Sequence, residues 1–205
     1  MSEKDNLDQA YWEQRYRQNN TQWDVGDITP PIKSYIDQLP DKRIKILVPG
    51  GGNGYEAEYL HQNGFSNVFL LDFAASPLAN FQARVPSFPS DHLLQEDFFQ
   101  VTPGQYDLVL EQTFFCALPR GLRAHYARQM YEVLKPQGKL VGVLFSEEFQ
   151  NPGPPFGGTA MEYQAYFEPY FKFLHFEPCT NSIPPRQGRE LYIELERRPR
   201  PQFIA

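Results

Sequence analysis

The chain has only two cysteines, Cys116 and Cys179, among 205 residues. That excludes the disulfide framework that staples small secreted domains. Its four histidines, His61, His92, His125 and His175, form no close cluster, and no metal-ligand spacing occurs, so no metal is expected. Basic residues are outnumbered, 19 against 25 acidic, for a net charge of −6. A field of that sign repels phosphate backbones and argues against nucleic acid as a partner. No apolar run approaches the roughly 18 residues a membrane span needs. The start, Met1-Ser2-Glu3-Lys4-Asp5-Asn6, lacks the apolar core of a signal peptide. The expectation is a soluble protein of a reducing compartment, the cytoplasm.

Two residue classes stand in excess. Nineteen prolines are close to twice the usual share of roughly 5%. Aromatics are dense, at 17 Phe, 12 Tyr and 2 Trp. The length suits a single domain, since one core usually serves roughly 100–200 residues. We expect residues 1–205 to be one domain, with 1–40 an amino-terminal helical lid and 41–205 an α/β core.

The first helix is predicted from about Asp8 to Asn20, with Trp12 and Tyr16 on one face. A polar bend follows at 21–27. Thr29 then stands where a cap belongs, with Pro30 at the first helical position and Ile32, Ile36 and Leu39 at helical spacing. From there strands and helices alternate. The predicted strands are 44–48, 68–72, a weak one at 92–95, 106–111 and 140–145. The predicted helices run from Tyr55 to Gln62, from Ser76 through Val85, and from Leu122 through Val133, the last ending at Lys135-Pro136-Gln137-Gly138. Continuous apolar runs suit a parallel sheet covered on both faces, and the alternation implies βαβ units. After a Pro/Gly loop at 151–158, a short helix opens at Thr159 with Glu162 completing a capping box. Two further strands, 171–176 and 190–196, have no helix between them and suggest an antiparallel edge. The fold class is therefore a doubly wound, mostly parallel α/β sheet with an antiparallel carboxyl-terminal edge strand.

Val48-Pro49-Gly50-Gly51-Gly52-Asn53-Gly54 follows the first strand and opens a helix. Bare backbone and helix amides there let a ligand approach closely. Asp72 closes the next strand, placed to accept from ribose hydroxyls. Four glycines in five positions exceed what a tight turn needs. Together these features point to an adenosine-containing ligand and leave both a nicotinamide dinucleotide and S-adenosylmethionine open. Asp97 and Phe98 follow the third strand at the sheet's carboxyl edge, where Asp97 serves either as a ligand for adenine or as a turn cap.

The choice narrows on longer motifs. Trp12-Glu13-Gln14-Arg15-Tyr16, Thr21-Gln22-Trp23-Asp24, the 47–54 glycine turn, Phe114-Phe115-Cys116-Ala117-Leu118 and Gly153-Pro154-Pro155-Phe156 run across most of the chain. In that combination the chain resembles the thiopurine S-methyltransferase superfamily of class I methyltransferases, and within it the halide/thiol methyltransferases. The resemblance implies a seven-stranded Rossmann-like sheet and S-adenosyl-L-methionine as cofactor. It implies cofactor contacts from Trp12, Tyr16 and Trp23, from Gly50, Gly51 and Gly52, from Asp72 at the ribose, from Asp97 and Phe98 at adenine, and from Gln112 near the methionine end. Tyr16 stands where the family often has tryptophan, and Gln112 where an aromatic is common. Arg123 aligns with an active-site arginine of the thiopurine enzymes, implying a substrate-positioning role; the bland reading is a solvated helix charge. Cys116, among apolar neighbours, reads as a buried small residue rather than a nucleophile.

A thiolate or halide acceptor needs little help from a general base, which agrees with the lack of a histidine cluster. The expected partner is a small-molecule methyl acceptor: a thiol, hydrosulfide, halide or thiopurine. Two other functions compete with this one. A nicotinamide-dependent oxidoreductase would bind NADH and transfer hydride, and a non-catalytic adenosyl-binding module would bind cofactor without turnover.

Overall fold

The computed structural model describes residues 7–150 and 153–202. The amino-terminal hexapeptide and Asn151-Pro152 of the Pro/Gly loop lie outside the described residues. Two helices precede the sheet, α1 (Gln9–Arg17) and α2 (Pro30–Ile36). Then follow β1 (Ile46–Pro49), α3 (Tyr55–Gln62), β2 (Val68–Leu71), α4 (Ala75–Arg84), β3 (Leu93–Leu94) and β4 (Tyr106–Gln112). The chain continues with α5 (Arg123–Val133), β5 (Leu134–Phe145), α6 (Ala160–Phe167), β6 (Phe171–Pro178) and β7 (Glu190–Arg197).

The seven strands lie in the order β3-β2-β1-β4-β5-β7-β6. β1 to β5 pair in parallel, and β7 runs antiparallel to both β5 and β6. The antiparallel carboxyl-terminal strand thus sits one place in from the rim, and β6 forms the edge itself. Alternate strand residues feed two cores. Ile46, Val48, Leu70 and Leu108 pack with Ile32 and Ile36 of α2, Ala57 and Leu60 of α3, and Phe81 of α4. Leu47, Leu71 and Val109 pack with Tyr126 and Met130 of α5 and Phe167 of α6. Helices on both faces make the sheet doubly wound.

Local side-chain chemistry sets two helix starts. Asp8 caps α1, its carboxylate accepting from the Tyr11 N–H at 2.9 Å. Thr159 caps α6 by accepting from the Glu162 N–H at 3.2 Å. Several predicted boundaries are corrected, among them the end of α1, at Arg17 rather than about Asn20. α2 ends at Ile36, before Leu39. α4 begins at Ala75 rather than Ser76, and in its first turn Ser76 Oγ and N–H both donate to Glu13 of α1, at 2.6 and 2.9 Å. Lys135-Pro136-Gln137-Gly138, read from sequence as a helix end, already belongs to β5, with Gln137 at φ +65° where the pairing with β4 shifts register. Among the described residues no helix is long and apolar enough to cross a membrane.

Candidate active site

The order of the strands reverses direction at β1, whose neighbours are β2 and β4. Open α/β sheets bind ligands at the carboxyl ends of the strands at such a switch point. A cavity of about 630 Å³ lies along this edge. Its lining follows the sheet: Asp97 and Phe98 after β3, Asp72 after β2, the Gly50–Gly52 turn after β1, Gln112 ending β4, Phe145 ending β5, and Arg186 before β7. Trp12, Tyr16 and Trp23 of the amino-terminal segment line it too.

The glycine turn is tight for stated reasons. Gly50 and Gly52 adopt φ +57° and +54°, which an L side chain rarely takes. A Cβ on Gly50 would meet the Phe114 ring at 2.2 Å, and one on Gly52 the Tyr16 hydroxyl at 2.4 Å. The Gly52 N–H donates to Asp72 Oδ2 at 3.1 Å, and the Ala74 N–H to Asp72 Oδ1 at 2.9 Å. Burial pushes the Asp72 carboxyl up to about 6 despite these two donors. Each oxygen keeps a lone pair, so Asp72 can still accept from hydroxyls in the cavity.

At the β3 end, Asp97 accepts from the Phe99 N–H at 3.0 Å, so it does cap a short turn while also lining the cavity. Phe98 is buried and packs edge-on to Phe114, ring centroids 5.4 Å apart. At the β4 end, the Thr29 hydroxyl donates to Gln112 Oε1 at 2.8 Å. That fixes the amide and leaves Gln112 Nε2 buried without a partner. An unpaired buried donor costs on the order of 1–3 kcal/mol, so a ligand acceptor is what this position lacks. Above them Trp23 stands edge-on to Trp12 at 5.4 Å and to Tyr16 at 5.8 Å, with the Arg15 guanidinium 5.0 Å over its ring. The Trp23 carbonyl accepts from Arg186 at 2.9 Å.

The structure corrects the expectation for Arg123. Its side chain is fully buried outside the cavity lining, at 0% exposure. One terminal nitrogen pairs with Glu162 at 2.8 Å, and the other donates to the Phe156 and Gly157 carbonyls, both at 2.9 Å. Its guanidinium lies over the Phe115 and Tyr163 rings. Arg123 therefore braces the loop before α6 rather than standing as a solvated charge, and it is absent from the cavity lining. Cys116 does line the cavity, but burial raises its thiol to about 12, so it stays protonated. Among the described residues no group of histidines, cysteines and carboxylates could hold a metal.

Several groups escaped sequence reasoning. Thr29 reads as a helix cap, and its link to a residue 83 positions away leaves no local trace. Glu111 is buried under the site, accepting from the Phe114 and Phe115 N–H groups at 2.9 and 3.0 Å and from the Tyr126 hydroxyl. Its hold on both amides shapes the 113–117 turn. Arg186 and Arg189 sit in a Pro/Gly-rich connection that resembled a plain loop. Glu56 lies in the first turn of α3 and is buried, which its sequence neighbours do not signal.

The fold and this cavity together define a class I, Rossmann-like methyltransferase. Similarity to a 1,6-didemethyltoxoflavin-N1-methyltransferase from Burkholderia thailandensis, solved with S-adenosylhomocysteine, supports the fold: TM-score 0.76 at 12% identity, covering 93% of this chain and 87% of that one. The chain belongs to the thiopurine S-methyltransferase family, whose sequence model matches residues 7–194. It is similar to probable thiol methyltransferase 2 of Arabidopsis thaliana, 31% identical over 87% of this chain and 81% of that protein. Thiocyanate methyltransferase 1 of the same plant is 30% identical over 90% and 83%. Thiopurine S-methyltransferase of Vibrio cholerae is 26% identical over 78% and 81%. The protein is an S-adenosylmethionine-dependent methyltransferase.

Proposed function

We propose that the protein methylates a small soft nucleophile, a thiol, hydrosulfide or halide, with a thiopurine as the larger alternative. The observation that carries this reading is the gradient along the cavity. Polar groups that suit a nucleoside and an amino acid gather at the β3, β2, β1 and β4 ends. The far end, toward β5, is walled by Leu118, Phe145, Phe149, Pro154 and Pro155, with the Arg186 and Arg189 guanidinium groups over the two phenylalanine rings, and no histidine is among its described lining residues. The names of the thiol and thiocyanate enzymes to which the chain is similar support the same class of acceptor.

The residues fit S-adenosylmethionine. Asp97 and Phe98 would hold adenine, Asp72 the ribose hydroxyls, and Gly50, Gly51 and Gly52 the backbone approach. The orphaned Nε2 of Gln112 would donate to the carboxylate of the methionine end. Trp12, Tyr16 and Trp23 would cover the ligand from the amino-terminal segment, which acts as a lid. Electron-rich rings near a sulfonium add cation–π attraction. The cofactor supplies the activated methyl group for an in-line displacement. The protein's own contribution is to align the two reactants and keep water off the nucleophile. A soft nucleophile that arrives as an anion has no proton to lose, which agrees with a chamber end that holds two arginines and no histidine among its described lining residues. The two buried cysteines suit a reducing, cytoplasmic setting.

Headspace detection of methylated product, with hydrosulfide, a simple thiol, iodide and a thiopurine offered in parallel, tests the acceptor. Turnover should be greatest on the first three. Inactivity on all four, with intact cofactor binding, would turn the reading toward oxygen or nitrogen acceptors or toward a silent binding module.

A further inference from the structure

Glu56 is a buried carboxylate of the cavity that the preceding reading leaves without a task. It stands two residues past Gly54, is 5% exposed and lines the cavity beside the glycine turn. Among the described residues no side chain hydrogen-bonds to it; its own backbone N–H reaches the carboxyl. The charges that act on it are Arg186 from the β6–β7 connection and Asp24 and Asp27 from the amino-terminal segment. Each is engaged elsewhere. Arg186 serves the Trp23 carbonyl and Glu190, Asp24 accepts from Asn53 and the Gly26 N–H, and Asp27 accepts from the Ile28 N–H. No cation comes within ion-pair distance of Glu56 among the described residues. Buried charges are paired, so a lone carboxylate facing a void calls for a cationic ligand group.

Its place along the sheet says which one. Asp97 and Asp72 mark the adenosine sector, and Gln112 lies on the other side of the glycine turn. Glu56 lies in the first turn of α3, directly after the glycine turn that stands between them. The amino-acid end of the cofactor carries one ammonium and one carboxylate. We infer that Glu56 is the counter-ion of the cofactor's α-ammonium group, paired across the site with Gln112 as donor to the carboxylate. This rests on the S-adenosylmethionine reading of the cavity. Burial raises the empty Glu56 carboxyl to about 7, with Arg186 opposing and Asp24 and Asp27 reinforcing that shift. Capture of an ammonium group would then expel a proton.

Calorimetry on the whole protein tests this with two ligands, S-adenosylhomocysteine and 5′-methylthioadenosine, which keeps the adenosine but lacks the amino-acid end. Glu56→Gln should weaken S-adenosylhomocysteine about 10- to 100-fold, the range for losing one charged hydrogen bond. Binding of 5′-methylthioadenosine should stay within about twofold, which also reports that the variant is folded. Equal loss for both ligands, or none for either, overturns the assignment. The wild type gives a second test that needs no variant. In buffers of differing ionisation enthalpy at pH 6.5, S-adenosylhomocysteine should release more protons than 5′-methylthioadenosine, and equal release overturns the assignment too. Failure of the wild type to bind S-adenosylhomocysteine at all would instead overturn the cofactor reading of the cavity.

Discussion

Single residues at this site are held by contacts that local sequence does not encode. Gly50 is tolerated where it is because the Phe114 ring lies where its Cβ would be. Gly50→Ala combines that overlap with a φ of +57°, and strain of this kind costs on the order of 1–3 kcal/mol. In a chain of this size each kcal/mol lowers the melting temperature by roughly 2–4 °C. Differential scanning calorimetry should show the drop, with weaker S-adenosylhomocysteine binding beside it; an unchanged melt would mean that Phe114 yields freely. Arg123 gives the opposite separation. Arg123→Met strands Glu162 and two loop carbonyls, and removing one partner of a buried pair costs about 3–5 kcal/mol. The upper part of that range is not expected, because Glu162 is partly exposed. Folded Arg123→Met enzyme should keep its Michaelis constant for the acceptor within a few-fold while melting several degrees lower. A large rise in that constant without loss of stability would restore a substrate contact. The glycine turn and Asp72 were legible because their chemistry is local in sequence. Thr29, Glu56 and Arg186 were not, since each depends on what the fold sets against it.

At the scale of elements, the amino-terminal segment lines the cavity and is joined to the core by a small set of named bonds. α1 is tied to the core by Glu13 at Ser76 and by Gln9 Nε2 donating to the Phe73 carbonyl at 2.6 Å. Beyond α1, the segment is tied by Asp24 at Asn53, Trp23 at Arg186 and Thr29 at Gln112. The α1 helix buries no residue fully, so these few bonds and the Trp12–Tyr16–Trp23 cluster hold it. Local opening should therefore be cheap there compared with the sheet. Limited proteolysis is expected to cut between residues 18 and 28 in the empty protein and to slow severalfold with S-adenosylhomocysteine. Equal cleavage with and without ligand would show that the segment does not cover the site. Most elements were readable from apolar period and caps. The misread boundaries depend on tertiary surroundings, such as the pairing of β5 with β4 that takes in 135–138.

For the molecule as a whole, three buried carboxyls set the response to pH. Glu56 and Glu111 rise to about 7 and Asp72 to about 6, all chiefly through burial. Each value lies above that of the unfolded chain, 4.5 for Glu and 3.8 for Asp. Ionisation thus favours unfolding: their stabilising effect is complete below about pH 4 and is lost as pH rises through 6 to 7. Carboxyls held low by hydrogen bonds, such as Glu13 at Ser76, act in a separate, more acidic window. The empty protein should melt higher at pH 5.5 than at pH 8, and Glu111→Gln should flatten that slope. A melting temperature rising steadily from pH 5.5 to 8 would contradict the burial argument.

The cavity is walled by stretches that lie far apart in the chain, from Trp12 to Arg189. Such a wall exists only when the polypeptide has folded around it, so its ligand acts as a thermodynamic clamp on the native state. At about a hundred times its dissociation constant, a ligand of this kind adds roughly 2.7 kcal/mol to stability. The supply of methyl donor would then govern the enzyme's survival against proteases as well as its rate, and scarcity would thin out the catalyst along with the reaction.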